Sequence, residues 1–401
     1  MPVALAQSRA DILDRDNLPA GVFDGLYVHI PFCFHKCHYC DFYSITRQTP
    51  ERMSRFVDLL LAEARSWADG PPIRPRTVFF GGGTPSLLPL EQMGRLLIGL
   101  RECVDFSSVT EWTLEANPAT VTPEYCAMLR EQGIDRLSFG AQSFNRAELA
   151  TLERRHDPED VPRSVEIARA AGFSRLNVDL IYAVPGQDLA SWMLSLESAI
   201  TLGTPHLSCY GLTYESNTPM AVRKRLGQFR AVDESIELEM LHATRRRLAA
   251  GGMRAYEISN YARPGEECRH NLLYWNGGNY LGLGPSAASH MEGTRWRNRP
   301  HLGEWENAVA EQSLPATDVE HLTPRQRAGE LAMLQLRLSA GVAILDFEAR
   351  TGLVATAVFA EQIEKLRRLG LIACDPEGFR LTERGLNVAD AVASEFLAPS
   401  P

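Results

Sequence analysis

Between Leu26 and Tyr210 six short apolar runs are separated by five helix-patterned stretches, and this alternation constrains the fold more than any other feature of the chain. The runs are Leu26–Ile30, Thr77–Phe80, Trp112–Glu115, Arg136–Phe139, Leu176–Ile181 and His206–Tyr210. The helical stretches are Glu51–Trp67, Leu90–Arg101, Pro123–Gln132, Glu159–Ala170 and Leu189–Thr201. Strands that alternate with helices pair in parallel, because each helix carries the chain back to the start of the next strand. Gly133 and Gly172 fall where helix C-termini favour a residue that tolerates positive φ. Six such units predict an α/β fold, a partial (βα)6 TIM-like barrel. A flat doubly wound parallel sheet is the other arrangement the count allows.

In barrels of this kind the chemistry collects at the C-terminal ends of the strands. The polar and glycine-rich segments of this chain lie there. His29–Cys40 follows the first run, Gly81–Pro85 the second, Glu115–Pro118 ends the third, Gly140–Phe144 follows the fourth, and Asp179–Gly186 spans the end of the fifth. Their common polarity predicts one shared active face.

The barrel is expected over residues 25–222, after an N-terminal extension, residues 1–24. A barrel extension follows over 223–315, with a helix at Ala231–Ala250 and a strand at Arg254–Ile258. Asn260–Pro300 is rich in Gly, Asn and aromatics and reads as too irregular for core secondary structure. A smaller C-terminal domain is expected over 316–401. Thr323-Pro324 is an N-cap followed by proline at the first helical position, opening a helix to about Leu338. Helices at Ala343–Thr351 and Ala355–Leu369 and a hairpin of Leu371–Cys374 with Phe379–Leu381 make this a winged-helix-like α+β module. Its Lys365, Arg367 and Arg368 are offset by Glu361 and Glu364, which disfavours DNA binding.

The 401 residues carry 50 acidic and 41 basic side chains, a net charge of -9, which argues against broad nucleic-acid binding. No stretch of about eighteen apolar residues is available to span a membrane. Met1–Asp24 has Arg9 and Arg15 but also Asp11, Asp14 and Asp16, and no apolar core. It fits neither a secretory signal nor a transit peptide, so a cytoplasmic protein is expected.

Of eight cysteines, three fall within eight residues as Cys33-x3-Cys37-x2-Cys40. Cys103, Cys126, Cys209, Cys268 and Cys374 are scattered and read as small buried residues. Three thiolates on one loop can hold three irons of a cubane, leaving the fourth iron open to a ligand. The alternative is a Cys3His zinc site completed by His29, His35 or His38. Gly81–Gly83 fit a backbone that approaches a ligand closely, or simply a tight turn. Glu115 suits a ribose diol or a solvated loop. Gln142, Arg154 and Asp179 gain weight only because they share its rim.

The segment Tyr27-Val28-His29-Ile30-Pro31-Phe32-Cys33-x3-Cys37-x-Tyr39-Cys40-Asp41-Phe42, with Gly-Gly-Gly-Thr-Pro at Gly81–Pro85, resembles the radical S-adenosylmethionine (SAM) family. Within that family the chain is similar to the oxygen-independent coproporphyrinogen III dehydrogenases and to their HemW-like haem-chaperone branch. The resemblance covers nearly the whole chain after the extension. It implies a [4Fe–4S] cluster on Cys33, Cys37 and Cys40 with SAM on the open iron. It implies Tyr27 beside the cluster, Tyr39 near the adenine, and Gly82, Gly83 and Thr84 at the SAM amino group. Glu115 would face the ribose, with Gln142, Arg154 and Asp179 around bound SAM. Ala183 departs from the glycine usual in relatives, and its methyl is expected to narrow the pocket slightly.

Two functions are implied. The dehydrogenase decarboxylates two propionates of its porphyrinogen and resembles a CxxxCxxCxC pattern, whereas this chain has Phe42 at the last cysteine. The segment His270-Asn271-Leu272-Leu273-Tyr274-Trp275 resembles the HNxxYW motif assigned to haem binding in the chaperone branch. A neutral imidazole can ligate haem iron, and Tyr274 and Trp275 can pack on a porphyrin. Read without the family, the same residues are a histidine hydrogen-bonded to its surroundings and aromatics in a core. The short segment before the barrel suits an open carrier site better than a shielded radical enzyme. The expectation is a haem chaperone that delivers haem to a respiratory acceptor, with transient membrane-surface contact and a homodimer as further possibilities. The dehydrogenase is the alternative. A redox-sensing winged-helix regulator is a third, disfavoured by the acidic balance.

Overall fold

The structure is a computed structural model that describes residues 13–15, 18–68 and 70–397. Residues 1–12 and 16–17 of the expected extension lie outside the described residues.

The six apolar runs become strands β1 (Phe23–Ile30), β2 (Ile73–Gly82), β3 (Glu111–Ala116), β4 (Arg136–Gln142), β5 (Arg175–Tyr182) and β6 (His206–Gly211). They pair in parallel in the order β1-β2-β3-β4-β5-β6. A doubly wound sheet reverses its strand order at a switch point. No reversal occurs here, so the sheet curls one way as a partial barrel. Leu26, Val28 and Ile30 share one face of β1 and are fully buried, and His29 on the opposite face is buried too, so the strand is covered on both sides.

The intervening helices lie close to their expected positions. Thr49 caps the first, Pro50–Ser66, by accepting from the Arg52 amide, and Pro50 takes the first position. The helix buries Met53, Phe56, Val57, Leu60, Leu61 and Ala64, a stripe at i, i+3, i+4 spacing that faces the sheet. Gly133 (φ +85) and Gly172 (φ +88) follow the ends of the helices Pro123–Glu131 and Asp160–Ala170 in the left-handed conformation.

The region after β6 departs from expectation. Asn260–Pro300 is ordered secondary structure within the main sheet. It contributes β8 (Asn260–Ala262), which pairs with the short β7 (Arg254–Ala255) and with β6. The helix Arg269–Trp275 follows. Then come β9 (Tyr280–Leu283), which lies parallel to β1, β10 (Ala288–Met291) and β11 (Thr294–Asn298). The edge strand β12 (Ala316–His321) pairs with β11, so the main sheet runs on past residue 316. Among the described residues twelve strands thus form one sheet. Glu63 ties this extension to the first helix. It is buried and accepts from the Gly284 amide (2.8 Å), the Trp305 indole (2.9 Å) and the Asn298 side chain (2.5 Å).

A second core begins in the helix Pro324–Gln335, which opens with a Thr323–Gln326 capping box. Ala328, Phe347, Phe359, Phe379 and Phe396 form its centre. The expected helix over 355–369 is two, Ala355–Val358 and Ala360–Arg368. The hairpin of β14 (Ile372–Cys374) and β15 (Gly378–Leu381) gains a third strand, β13 (Val342–Ala343), on β15. Lys365 pairs with Glu395 at 2.8 Å, and Arg367 and Arg368 with Glu364 at 2.9 and 3.5 Å. The scattered cysteines divide: Cys126, Cys209 and Cys268 are buried as expected, Cys103 is half-buried and Cys374 is exposed.

Candidate functional site: the cysteine loop and the barrel cavity

The chain leaves β1 and makes a closed loop. The Cys33 amide donates to the Ile45 carbonyl (2.9 Å) and the Ile45 amide to the Pro31 carbonyl (2.8 Å). His29 anchors it. Its Nε2 donates to the Tyr43 carbonyl (2.9 Å), which leaves Nδ1 to accept from the Tyr27 hydroxyl (3.1 Å). Burial holds His29 down to about 4, so the ring stays neutral and this tautomer is kept. The Tyr43 hydroxyl in turn accepts from the Leu302 amide at 2.7 Å.

Glycine is required where β2 meets this loop. Gly82 has φ +104, and a Cβ there would lie 2.5 Å from the His29 ring. A Cβ on Gly83 would lie 2.7 Å from the Phe32 carbonyl oxygen and the Pro31 carbonyl carbon. Both glycines therefore let two backbone segments touch.

Cys33, Cys37 and Cys40 are half-buried and line one cavity of about 1000 Å³. Two of the sulfurs meet polar side chains: Cys33 hydrogen-bonds the Thr84 hydroxyl at 3.6 Å, and Cys37 accepts from Arg154 Nη1 at 3.7 Å. Burial pushes the Cys40 thiol up to about 11 although the Phe42 amide opposes it. A thiol in that state becomes a ligand by exchanging its proton for a metal. Among the described residues no three His, Cys, Asp or Glu side chains converge closely enough to share one ion. A Cys3His zinc site is therefore not preformed, and His29 has both nitrogens engaged. Three cysteines that each hold a different iron need no such convergence, so the donor set fits a cubane cluster.

The cavity wall comes from the strand ends. Tyr39, Gly82, Gly83, Thr84, Glu115, Gln142, Arg154 and Asp179 all line it with the three cysteines. Gln142 sits at a register shift of β4 with φ +67, a bulge that re-aims its side chain. Burial, then Asp179, pushes Glu115 up to about 8, while the Gly82 amide opposes. Burial also raises Asp179, against hydrogen bonds from Ser138, Asn177 and Ser208. Tyr27 lies behind this wall, stacked on Phe79 with centroids 6.4 Å apart. Ala183 is buried with φ +61 and does not line the cavity. The cost of its methyl is backbone strain, not the narrowed pocket expected from the sequence.

The HNxxYW segment is not an open haem site in this structure. It forms the helix Arg269–Trp275, whose first amides, Arg269 and His270, donate to Glu111 at 2.9 Å each. His270 is fully buried and stacks on Phe79. Its Nδ1 meets Thr77 Oγ1 (2.9 Å) and its Nε2 the Tyr274 hydroxyl (2.8 Å). Burial lowers it to about 3. The Arg337 guanidinium covers the half-buried Trp275 at 4.8 Å. Asn271 alone of the four reaches the main cavity. Reading these residues as a bonded histidine among core aromatics agrees with this arrangement.

Some cavity residues carried no motif. Arg136 is buried, its charge favoured by Glu111 and Asp179, and it lines the cavity together with Ser138, Asn177, Ser208 and Tyr210. Their signal was the polar residues alternating inward along β4, β5 and β6. His156 and Arg155 join the rim beside Arg154.

The model of the Radical SAM superfamily matches residues 27–199, and that of the HemN C-terminal domain matches 322–388. Fold and site together define a radical SAM protein. The chain is 36% identical to the haem chaperone HemW of Mycobacterium tuberculosis over 93% of this chain and 94% of the relative. It is 33% identical to that of Bacillus subtilis (92% and 98%) and 32% identical to that of Escherichia coli (93% and 98%). The chain belongs to the HemW family. Among solved structures, coproporphyrinogen III oxidase (HemN) from Escherichia coli superposes with a TM-score of 0.82 over 94% of this chain and 90% of that one, at 24% identity, a likeness of fold.

Proposed function

We propose that this chain is a haem chaperone built on a radical SAM barrel, which binds haem and passes it to an acceptor protein. A [4Fe–4S] cluster on Cys33, Cys37 and Cys40 would offer SAM an open iron for its amino and carboxylate groups. Thr84 and the Gly82–Gly83 backbone would receive the amino group, and Glu115 and Asp179 would hold polar groups of the nucleoside. Phe42 carries the choice of function. It stands 67% exposed on the cavity rim where the dehydrogenase pattern has a cysteine, in a chain matched over 93% of its length by relatives named haem chaperones.

Among the described residues no helix is long and apolar enough to cross a membrane. In this reading the carrier is cytoplasmic and meets its acceptor by transient contact. The test is anaerobic reconstitution followed by two parallel assays on one sample. Stoichiometric hemin uptake without porphyrinogen decarboxylation is expected. Turnover of coproporphyrinogen III with reductant and SAM would make the chain a dehydrogenase instead.

A further inference from the structure

In this structure His270 would reach haem iron only by giving up its bonds to Thr77 and Tyr274, whereas the mouth of the cavity carries open aromatic rings. We infer that haem lies across the mouth of the cavity, its macrocycle on Phe34 and Phe42, its propionates on Lys36 and Arg155, and its iron on His35. The inference rests on the haem-carrier reading above.

Phe34 is 76% exposed and Phe42 67%, and among the described residues they are the only phenylalanines left so open. Both line the same cavity, Phe34 within the Cys33–Cys40 segment and Phe42 two residues after it. Two bare aromatic rings at a ligand cavity form a contact surface for a flat apolar molecule. Lys36 and Arg155 line the same mouth. Lys36 is exposed, and Arg155 meets Glu153 only at 3.9 Å, so both keep donors for carboxylates.

The loop carries three histidines. His29 has both ring nitrogens bonded to protein. His38 Nδ1 faces Arg223 at 3.4 Å. His35 is 29% exposed in its side chain and lines the cavity. Its Nε2 is shielded from solvent 3.5 Å from Glu153 and makes no hydrogen bond, so the ring must turn away from that carboxylate to meet iron but gives up no bond in doing so. The residue that removes the fourth thiol of the dehydrogenase pattern thus also supplies an aromatic face.

The full chain, reconstituted anaerobically, is titrated with hemin and followed by Soret absorbance. F34A and F42A should each weaken hemin binding about tenfold, with iron and sulfide content unchanged. H35A should move the Soret maximum. The K36A/R155A pair should weaken hemin but not its dimethyl ester. Hemin binding unaffected by F34A and F42A overturns the placement, and an unmoved Soret band in H35A overturns the iron ligand. A changed sedimentation coefficient in F42A at unchanged hemin affinity assigns the rings to a contact between copies and also overturns the placement. Absence of hemin uptake by the parent chain overturns the carrier reading itself, and the placement with it.

Discussion

Arg154 donates through Nη1 to the sulfur of Cys37, 3.7 Å away, while its Nη2 donates to the Gly140 carbonyl at 2.5 Å. The guanidinium is buried, which opposes its charge, but Tyr39 and Cys37 more than compensate and keep it protonated. It is therefore a fixed positive charge against one sulfur of the cysteine triplet. Donors to cluster sulfurs favour the reduced state, the more so when charged. R154Q should still assemble a cluster, but with a more negative reduction midpoint, and R154K should fall between. A redox titration followed by electron paramagnetic resonance measures this, and equal midpoints would show that the contact does not tune the cluster.

Gly83 holds the cysteine loop by allowing contact with it. An alanine methyl would meet main-chain atoms of Pro31 and Phe32, which cannot rotate away. G83A should push the segment before Cys33 outward and reduce iron uptake several-fold. G82A adds a positive-φ penalty on the order of 1–3 kcal/mol to its clash with His29, so it should lower the melting temperature more. Iron content and calorimetry on the two variants separate displacement of the loop from loss of stability.

Much of the barrel was legible because its strands and helices have distinct periods and end in glycine, proline or capping residues. The site followed from it: once six strands run parallel, Cys33, Thr84, Glu115, Gln142 and Asp179 must share one end. Asn260–Pro300 was not legible. Its strands are three to five residues long and carry Asn260, Ser289, His290 and Asn298, whose polarity suggests loops. Inside the fold those groups are consumed: Ser289 accepts from the Gly282 amide, and His290 bonds the Gly278 carbonyl and the Gly293 amide. The bonding of His270 was hidden for the same reason. A histidine beside tyrosine and tryptophan looks like a ligand until Thr77, nearly two hundred residues earlier, proves to be its neighbour. The strain at Ala183 and Gln142 was equally hidden, because neither residue type announces positive φ.

Glu115 makes stability depend on pH. Its folded-state value of about 8 lies above the ordinary 4.5, chiefly through burial. The folded chain therefore holds this proton more tightly than the unfolded chain does. The resulting stabilisation is complete below about 4.5 and is lost as the pH rises through about 8. Urea midpoints of the parent should fall between pH 5 and pH 8.5 by the equivalent of roughly 3 kcal/mol more than those of E115Q. Parallel pH profiles for the two chains would mean that Glu115 is solvated enough to ionise normally.

Glu63 joins the first helix to the extension through three donors, and among the described residues no cation pairs with it. Its Oε2 accepts from the Gly284 amide and the Trp305 indole, and its Oε1 from Asn298. Burial pushes it up to about 7 against these donors. A glutamine keeps one acceptor oxygen but turns an NH2 group toward a donor on the other side, whichever way it flips. E63Q should therefore cost about 1–3 kcal/mol at pH 8, where the parent carboxylate is ionised. The loss should be local first. Hydrogen exchange should quicken in β9, β11 and the helix Leu302–Ala310, while β3 to β5 keep the parent's protection. Uniform acceleration across the barrel would mean that the extension and the six-stranded sheet unfold as one unit.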